Sequence, residues 1–265
     1  MMPFVNLFGR MIPSYGLSMA AGMVLACLLA VVRLTRAKLA WEPFAIIAAC
    51  TVGLGLFGAG VMYMLVTYPV QEIIRLMREG QFGLLMGGAV FYGGLIGGGA
   101  GSYLGSRIAR VSLWTYEPAI VPALPLAHAF GRLGCFCAGC CYGIPAPPPL
   151  GIAFLHPLSD APAGQPLLPV QLLEAGANIA VCVLLLLFFQ KKRRPAAGLL
   201  LYLMMYSLLR FLLEYLRYDA IRGHLLDLST SQWVSLLMFS GAAVLCICRA
   251  RAGKTMESGK SAPSA

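Results

Sequence analysis

The stretch MIPSYGLSMAAGMVLACLLAVV, residues 11–32, is an apolar run long enough to cross a lipid bilayer as a helix. Arg33, Arg36 and Lys38 follow it, and no small-residue cleavage site leads into a polar mature segment. We therefore expect a retained membrane helix and not a cleaved signal peptide. Because basic residues prefer the cytoplasmic side of a membrane, we expect the N-terminus outside.

The whole chain has the composition of an integral membrane protein. Of its 265 residues, 59% are hydrophobic and only 11% are charged, and the mean hydropathy is +0.79. Soluble domains carry about 25% charged residues. The net charge of +10 would suit a nucleic-acid partner, but cytoplasmic membrane loops also collect basic residues. We therefore predict a membrane protein with no nucleic-acid partner.

The apolar runs predict an all-α membrane protein with about seven transmembrane helices. The predicted spans cover residues 12–32, 43–67, 84–105, 118–136, 169–189, 197–216 and 231–248. Pro122 and Pro125 interrupt the fourth span, which predicts a broken helix facing a cavity. Residues 70–82 carry apolar positions between charges, which predicts a short amphipathic helix in the outer interface.

The parts of the chain between and after the spans divide into a membrane domain, a head and a tail. We predict a single integral membrane domain over residues 1–252 and a disordered cytoplasmic tail over residues 253–265. Residues 143–168 are rich in proline and glycine and predict a small outside loop or head region, with an extended piece at 151–155. The basic residues of the predicted inner loops favour a cytoplasmic C-terminus.

Ionisable residues inside membrane spans are functional-site candidates, because burying charge in lipid is costly. Arg132 lies in the fourth span, Glu174 in the fifth, and Arg210 and Glu214 lie one turn apart in the sixth, with Arg217 following. One interpretation is a structural ion pair that fixes helix packing. The arginines outnumber the glutamates, however, and a guanidinium fork matches a phosphate. We therefore also expect a cavity that binds an anionic lipid phosphate.

Glycines recur at four-residue spacing in the third predicted span. Gly93, Gly97, Gly101 and Gly105 would lie on one helix face, where small residues let membrane helices approach closely. Close helix packing is the favoured interpretation, and a backbone contact with lipid at Gly93 and Gly94 is the alternative.

Five motifs, in order and over nearly the whole chain, resemble the prolipoprotein diacylglyceryl transferase family of the bacterial inner membrane. Each motif alone is weak, but five in the family's order are specific. The matching pieces are YGL (15–17), FYGGLIG (91–97), GRLG through YG (131–143), PVQLLE (169–174) and RFLLEYLR (210–217).

The resemblance implies an enzyme of lipoprotein maturation. Such an enzyme transfers the diacylglyceryl group of phosphatidylglycerol to the lipobox cysteine thiol of a preprolipoprotein and releases glycerol phosphate. Its expected partners are phosphatidylglycerol, preprolipoprotein signal peptides and the membrane lipids of the bacterial inner membrane. The reaction requires no organic cofactor or metal, so none is predicted.

The resemblance also implies roles for single residues. Arg132 and Arg210 would stabilise the negative charge of the leaving phosphate. With Tyr92 they form the predicted catalytic set. The predicted phospholipid-binding residues are Arg132, Tyr15, Gly93, Gly94, Gln171 and Arg217. The predicted supporting residues are Glu174, Glu214, Gly131, Gly134 and Gly143.

The chain departs from the family pattern at several positions. Tyr92 stands where many members carry a histidine that is a proposed base. Either a phenol takes this role, or the substrate thiol ionises by other means, or the chain has lost the activity. Cys135 and Cys140 replace an asparagine and a glutamate of the usual signature, and Leu168 replaces a histidine.

Four cysteines crowd the segment GRLGCFCAGCCYG, residues 131–143. Cys137 and Cys140 have the spacing of a zinc-binding pair, but no distant second pair follows. An oxidising outer face would permit a Cys135–Cys140 or Cys137–Cys141 disulfide. Free packed thiols and a lipid-carrying thiol are further interpretations. The cluster supports an alternative function, a non-catalytic anionic-lipid-binding or thiol-redox membrane protein on the same scaffold.

Overall fold

The computed structural model describes residues 3–7, 9–85, 87–88, 90–155, 161–218, 224–226 and 228–260 and is mainly helical. The chain divides into two compact units. The first takes its residues from Met1–Val32 and Glu117–Ala265, and the second from Arg33–Tyr116. The single membrane domain expected over residues 1–252 stays a prediction.

Three short antiparallel hairpins precede α1, α8 and α10 along the chain. The helices are α1 Ser14–Arg36, α2 Glu42–Thr67, α3 Val70–Arg78, α4 Phe82–Leu85, α5 Phe91–Ile108, α6 Leu113–Ile120, α7 Ala123–Ala138, α8 Val170–Phe188, α9 Ala197–Glu214 and α10 Thr230–Lys260. The strands are β1 Phe4–Leu7, β2 Arg10–Pro13, β3 Ile152–Ala153, β4 Pro166–Leu167, β5 His224–Leu225 and β6 Leu228–Ser229. They pair as β1–β2, β3–β4 and β5–β6.

Prolines mark where several helices begin. Pro69, Pro122 and Pro169 stand directly before α3, α7 and α8. A missing N–H is harmless there, because the first amides of a helix have no partner within it.

The expectation of a multi-pass helical membrane protein is confirmed, but the count of seven spans is not. Among the described residues, α1, α2, α8, α9 and the first 22 residues of α10 are long and apolar enough to cross a bilayer. The pair α6–α7 makes a sixth if it counts as one span. The predicted third span, 84–105, falls on α4 and α5. The glycines of α5 lower its mean hydropathy below that of the other membrane helices.

The predicted break in the fourth span is confirmed. Helices α6 and α7 meet at an angle of 46°. Pro118 lies inside α6, and the side chain of Pro122, between the two helices, is fully buried. Proline cannot donate the backbone hydrogen bond that would join the two helices.

The segments outside the spans agree with the sequence in part. Helix α3 lies within the predicted amphipathic segment 70–82 and buries Ile73 and Leu76 against Leu85. The extended piece expected at 151–155 is β3, and Phe154 next to it is fully buried. Helix α10 ends at Lys260, and residues 261–265 lie outside the described residues. The disordered tail expected over residues 253–265 stays a prediction.

The close packing predicted for the glycine face is confirmed within the second unit. A Cβ atom added at Gly93, Gly97 or Gly101 of α5 would collide with a backbone carbonyl oxygen of α2. The hydroxyls of Thr51 and Ser102 lie 2.9 Å apart and join the two helices by a hydrogen bond. Helices α2 and α5 therefore touch backbone to backbone.

Candidate functional site

A buried ion pair joins α7 to α8 in the first unit. The side chain of Glu174 is 1% exposed, and its Oε1 lies 3.0 Å from Nε of Arg132. His128, one turn before Arg132 on α7, places its Nε2 3.9 Å from the same oxygen. The carboxylate of α8 thus meets two side chains of one α7 face, because residues four apart lie above one another on a helix.

A second buried ion pair lies at the end of α9. The Nη2 of Arg210 and Oε2 of Glu214 are 2.6 Å apart, and Nε of Arg217 lies 3.9 Å from the same oxygen. Ser229 donates a hydrogen bond of 2.8 Å to the other carboxylate oxygen of Glu214. Nη2 of Arg210 also donates to Oγ of Ser231 at 3.2 Å. The start of α10 therefore helps to hold both charges.

Tyr206 connects the two pairs. It lies one turn before Arg210 on α9, and its hydroxyl hydrogen-bonds with Arg132. Its ring centroid lies 4.9 Å from that of His128 and 6.1 Å from that of Tyr202. Neither tyrosine was predicted as a site residue, although their four-residue spacing before the α9 ion pair was a usable signal.

The network carries more positive than negative charge. Arg132, Arg210 and Arg217 face two carboxylates, Glu174 and Glu214. Arg210 is 8% exposed, and its Nη1 is buried with no hydrogen-bond partner among the described residues. A buried cationic donor without an acceptor is costly, so this nitrogen favours an anionic ligand.

The glycines of segment 131–143 differ in what they require. A Cβ atom at Gly143 would lie 2.7 Å from the carbonyl oxygens of both Leu168 and Leu216. At Gly134 it would lie 3.1 Å from the Tyr15 backbone oxygen, whereas at Gly131 it would meet nothing within 4 Å. Gly143 therefore ties the head to the end of α9, and Gly131 has no such steric role.

Gln171 and Tyr15, the predicted headgroup ligands, lie beside this segment. Nε2 of Gln171 donates a 2.7 Å hydrogen bond to the carbonyl oxygen of Cys140, and its Oε1 is buried without a partner in the described part of the chain. Tyr15 is 40% exposed and lies within electrostatic range of Arg132. Tyr15 thus lies near the Arg132 guanidinium, and Gln171 lies against the turn at Cys140.

Known proteins match this chain along nearly its whole length. The family described as "Prolipoprotein diacylglyceryl transferase" matches residues 3–248. The chain belongs to this family. It is 34% identical to phosphatidylglycerol–prolipoprotein diacylglyceryl transferase 2 of Clostridium perfringens, over 91% of this chain and 92% of that protein. It is 32% identical to the transferase of the same name from Clostridium tetani, over 87% and 90% of the two chains.

A third relative comes from a different genus. The phosphatidylglycerol–prolipoprotein diacylglyceryl transferase of Leifsonia xyli is 29% identical over 95% of this chain and 79% of its own length. The similarity therefore covers all the helices that carry the arginine–glutamate network.

Three predicted site residues of this family member belong to the second unit. Tyr92, Gly93 and Gly94 form the first turn of α5, and Tyr92 is 39% exposed. Gly93 packs against the backbone of Gly58 on α2, which supports a packing role. The catalytic role of Tyr92 and the lipid contacts of Gly93 and Gly94 stay predictions.

The cysteine group contains both members of the predicted Cys135–Cys140 pair, but it excludes Cys137 of the predicted Cys137–Cys141 pair. Gly139 ends α7 with a φ of 75°, and the Cys140 N–H then bonds to the Cys135 carbonyl oxygen at 3.1 Å. This turn brings the Sγ atoms of Cys135, Cys140 and Cys141 within 4.8 Å of one another. All cysteines of the described chain are free thiols, and Cys137 stands outside the group.

The pKa values of these thiols are shifted in opposite directions. Hydrogen bonds from Cys135 and Cys140, followed by the charge of Arg217, hold the pKa of Cys141 below its ordinary value. The hydrogen bonds that Cys140 makes with Cys135 and Cys141 raise its own pKa instead. The Arg217 guanidinium thus lies close enough to Cys141 to stabilise negative charge at this thiol.

Glu117 is a buried carboxylate that our sequence analysis missed. Its side chain accepts hydrogen bonds from the backbone N–H groups of Ala196, at 2.7 Å, and Leu199, at 2.9 Å. It thus caps the N-terminus of α9 from α6. Its partners are 79 and 82 residues away in sequence, so only the folded chain identifies the role.

Proposed function

We propose that this chain transfers the diacylglyceryl group of phosphatidylglycerol to the lipobox cysteine thiol of preprolipoproteins, with release of glycerol phosphate. The names of its relatives support this substrate pair. The observation that carries the proposal is the buried arginine–glutamate network of α7, α8 and α9. A phosphate ester that must leave with growing negative charge needs cations held in place before the reaction.

The proposed chemistry is a displacement at the glyceryl carbon that bears the phosphate. The thiolate of the substrate cysteine attacks this carbon, and the bond from carbon to the phosphate oxygen breaks. Arg132 is fixed by Glu174 and by Tyr206, so its guanidinium would face the phosphate without rearrangement. Arg210, fixed by Glu214, offers the buried Nη1 to a phosphate oxygen.

The remaining site residues are proposed to bind the lipid. Tyr15 lies within electrostatic range of Arg132, and Gln171 lies against the turn at Cys140. Both would hydrogen-bond the headgroup, and Arg217 would add charge. Tyr92, with Gly93 and Gly94, is proposed from the family resemblance to act on the same substrate.

We propose that the chain lies in the bacterial inner membrane with its N-terminus outside and its C-terminus in the cytoplasm. Arg33 and Arg36 in the last turn of α1 support this orientation, because basic residues remain on the cytoplasmic side. A reporter fused to the C-terminus that is active only in the cytoplasm tests it. Activity of a reporter that works only outside would contradict it.

The direct test is transfer by purified protein in detergent. Phosphatidylglycerol labelled in its acyl chains is mixed with a lipobox peptide, and mass spectrometry follows the peptide. The expected product carries the added diacylglyceryl group, and glycerol phosphate appears in equal amount. A peptide with serine in place of the lipobox cysteine is the matched control. No transfer, while the Clostridium perfringens relative reacts under the same conditions, would overturn the proposal.

A second candidate is a thiol-redox function on the same scaffold. The close approach of the Cys135, Cys140 and Cys141 sulfur atoms favours it. It predicts reversible disulfides within this group, seen by mass spectrometry with and without reductant, together with no lipid transfer. Transfer that persists in fully reduced protein would reject it.

A further inference from the structure

Three cysteine side chains converge just after α7, beside the arginine–glutamate network. The Sγ atoms of Cys135, Cys140 and Cys141 lie within 4.8 Å of one another. The backbone bond from Cys140 to Cys135 and the 2.7 Å hydrogen bond from Gln171 to the Cys140 carbonyl oxygen fix the turn that carries them. The backbone therefore holds the three sulfur atoms together.

The number and spacing of these sulfur atoms suit a zinc ion. Zinc binds thiolates at about 2.3 Å, which places tetrahedral ligands about 3.8 Å apart. The observed limit of 4.8 Å reaches this geometry with small side-chain shifts. No histidine or carboxylate of the described chain completes the group, so one of four coordination positions would stay open. Three protein ligands with one exchangeable position are the arrangement of catalytic zinc.

The surroundings of the group favour bound thiolates. Arg217 hydrogen-bonds Cys141, and Arg132 lies one turn before Cys135 within electrostatic range. Zinc with three or four thiolates carries net negative charge, which these guanidinium groups would offset. Arg217 also lies 3.9 Å from Glu214, so the cysteine group adjoins the network that we propose for the phosphate.

We infer that Cys135, Cys140 and Cys141 form a zinc site with three thiolate ligands, whose open position binds the lipobox thiol as a zinc thiolate. The inference rests on the proposed transferase function. It assigns the cysteines a task in which a metal activates the attacking sulfur, since a thiol that coordinates zinc is deprotonated.

The step balances without an oxidant or reductant. The lipobox thiol loses its proton to solvent as its sulfur binds zinc. The zinc-bound sulfur attacks the glyceryl carbon with an electron pair, a carbon–sulfur bond forms, and the carbon–oxygen bond to phosphate breaks. The electron pair of that bond leaves with glycerol phosphate, which binds a proton from solvent according to its own pKa. The product thioether is a weaker zinc ligand than a thiolate and dissociates.

The first experiment measures zinc content. Full-length protein is purified in detergent with reductant, loaded with Zn²⁺, freed of excess metal and analysed by mass spectrometry of the metal. We expect about one zinc ion per chain in the wild type. Cys141→Ser should lose most of it, and Cys137→Ser, in the same segment but outside the group, should keep it. A wild type without zinc, or equal loss in both variants, overturns the inference.

The second experiment uses the wild type, so it does not depend on how a variant folds. Co²⁺ replaces zinc, and its sulfur charge-transfer absorption is recorded before and after addition of a lipobox peptide. We expect the band to gain intensity with the cysteine peptide and to stay unchanged with its serine counterpart. No response to the cysteine peptide overturns the open-position assignment.

Lipid transfer then separates the inference from the proposed function. Metal-free protein that is still folded should lose transfer, and one equivalent of Zn²⁺ should restore it. Full transfer by metal-free protein overturns the zinc inference and leaves the transferase function standing. Zinc binding and a cobalt response without any transfer would overturn the transferase function and leave the metal site standing.

Discussion

The helix pair α2–α5 and the helix group α7–α8–α9 pack in opposite ways. In the first, glycines such as Gly97 and Gly101 bring two backbones into contact, joined by the Thr51–Ser102 hydrogen bond. In the second, helices meet through buried charges centred on Glu174. Lipid supplies little hydrophobic drive between membrane helices, so either small residues or polar contacts must join them. Close packing alone accounts for the glycines of the α2–α5 pair.

The charged group does need a further explanation. Burying an ion pair is often no better for stability than burying apolar residues of the same volume. Ionisable residues within membrane helices therefore point to function, and here a surplus of arginines points to an anion. The comparison thus predicts that changes in the charged residues of α7–α9 remove activity, whereas changes at Gly97 and Gly101 of α5 remove stability.

The largest effect is expected from Arg132→Ala, which tests the role of the buried charges in α7–α8–α9. Loss of one preorganised charge next to a leaving phosphate should lower the rate of lipid transfer about 100-fold to 1000-fold. It also leaves Glu174 buried without its partner, which should cost about 3–5 kcal/mol of stability. Transfer is measured with labelled phosphatidylglycerol, and unfolding is followed in mixed micelles.

Two further variants separate these consequences. Arg132→Lys keeps the charge but loses the planar fork, so part of the activity should return. The double variant Arg132→Ala with Glu174→Ala removes both buried charges, so stability should recover while activity stays lost. Recovery of transfer in the double variant would contradict the phosphate role of Arg132.

The second prediction tests the glycine side. Gly101→Val puts a branched side chain where even a Cβ atom collides with the carbonyl oxygen of Cys50. We expect a loss of about 3 kcal/mol, because overpacking forces the backbones apart. Gly99→Val on the same helix meets nothing within 4 Å of the added Cβ and is the matched control. Equal unfolding of both variants in a detergent titration would show that the glycine contact does not hold the pair.

The sequence predicts the two sides of this comparison unequally. Continuous apolar runs identified α1, α2, α8, α9 and α10, and the prolines near residue 122 predicted the α6–α7 break, because these signals are local. The same glycines that let α5 approach α2 lower its mean hydropathy, so residues 84–105 are not confirmed as a membrane span. Glycines that allow close packing thus lower the hydropathy by which a membrane span is identified.

The candidate site shows the same limit. Arg132, Glu174 and Arg210 stand out because charge in an apolar run is unusual. Tyr206 contributes through a contact with another helix, and the exclusion of Cys137 from the thiol group depends on the turn at Gly139. Such contacts join elements far apart along the chain, and no local pattern determines them.

The third prediction concerns the link between the head and the charged helices. Gly143→Ala should destabilise the protein by about 2 kcal/mol, because the new methyl group would press on two backbone carbonyl oxygens. Gly131→Ala, in the same segment, should be tolerated since it meets no atom within 4 Å. Thermal unfolding of both variants, with lipid transfer as a second readout, checks the difference. An equal loss at Gly131 would indicate a role other than packing.

The smallest effect is expected at Glu117. This buried charge caps α9, so it is an exception to the functional role of the other buried charges. Glu117→Gln keeps the shape but leaves one oxygen for the two α9 amides and removes the charge at a helix N-terminus. Loss of such a cap costs about 1 kcal/mol. Unfolding in mixed micelles should show this loss, and Glu42→Gln at the exposed start of α2 is the control. Lipid transfer at low temperature should be unchanged. A loss of transfer comparable to that of Arg132→Ala, with stability intact, would indicate that Glu117 takes part in the reaction and does not only stabilise the fold.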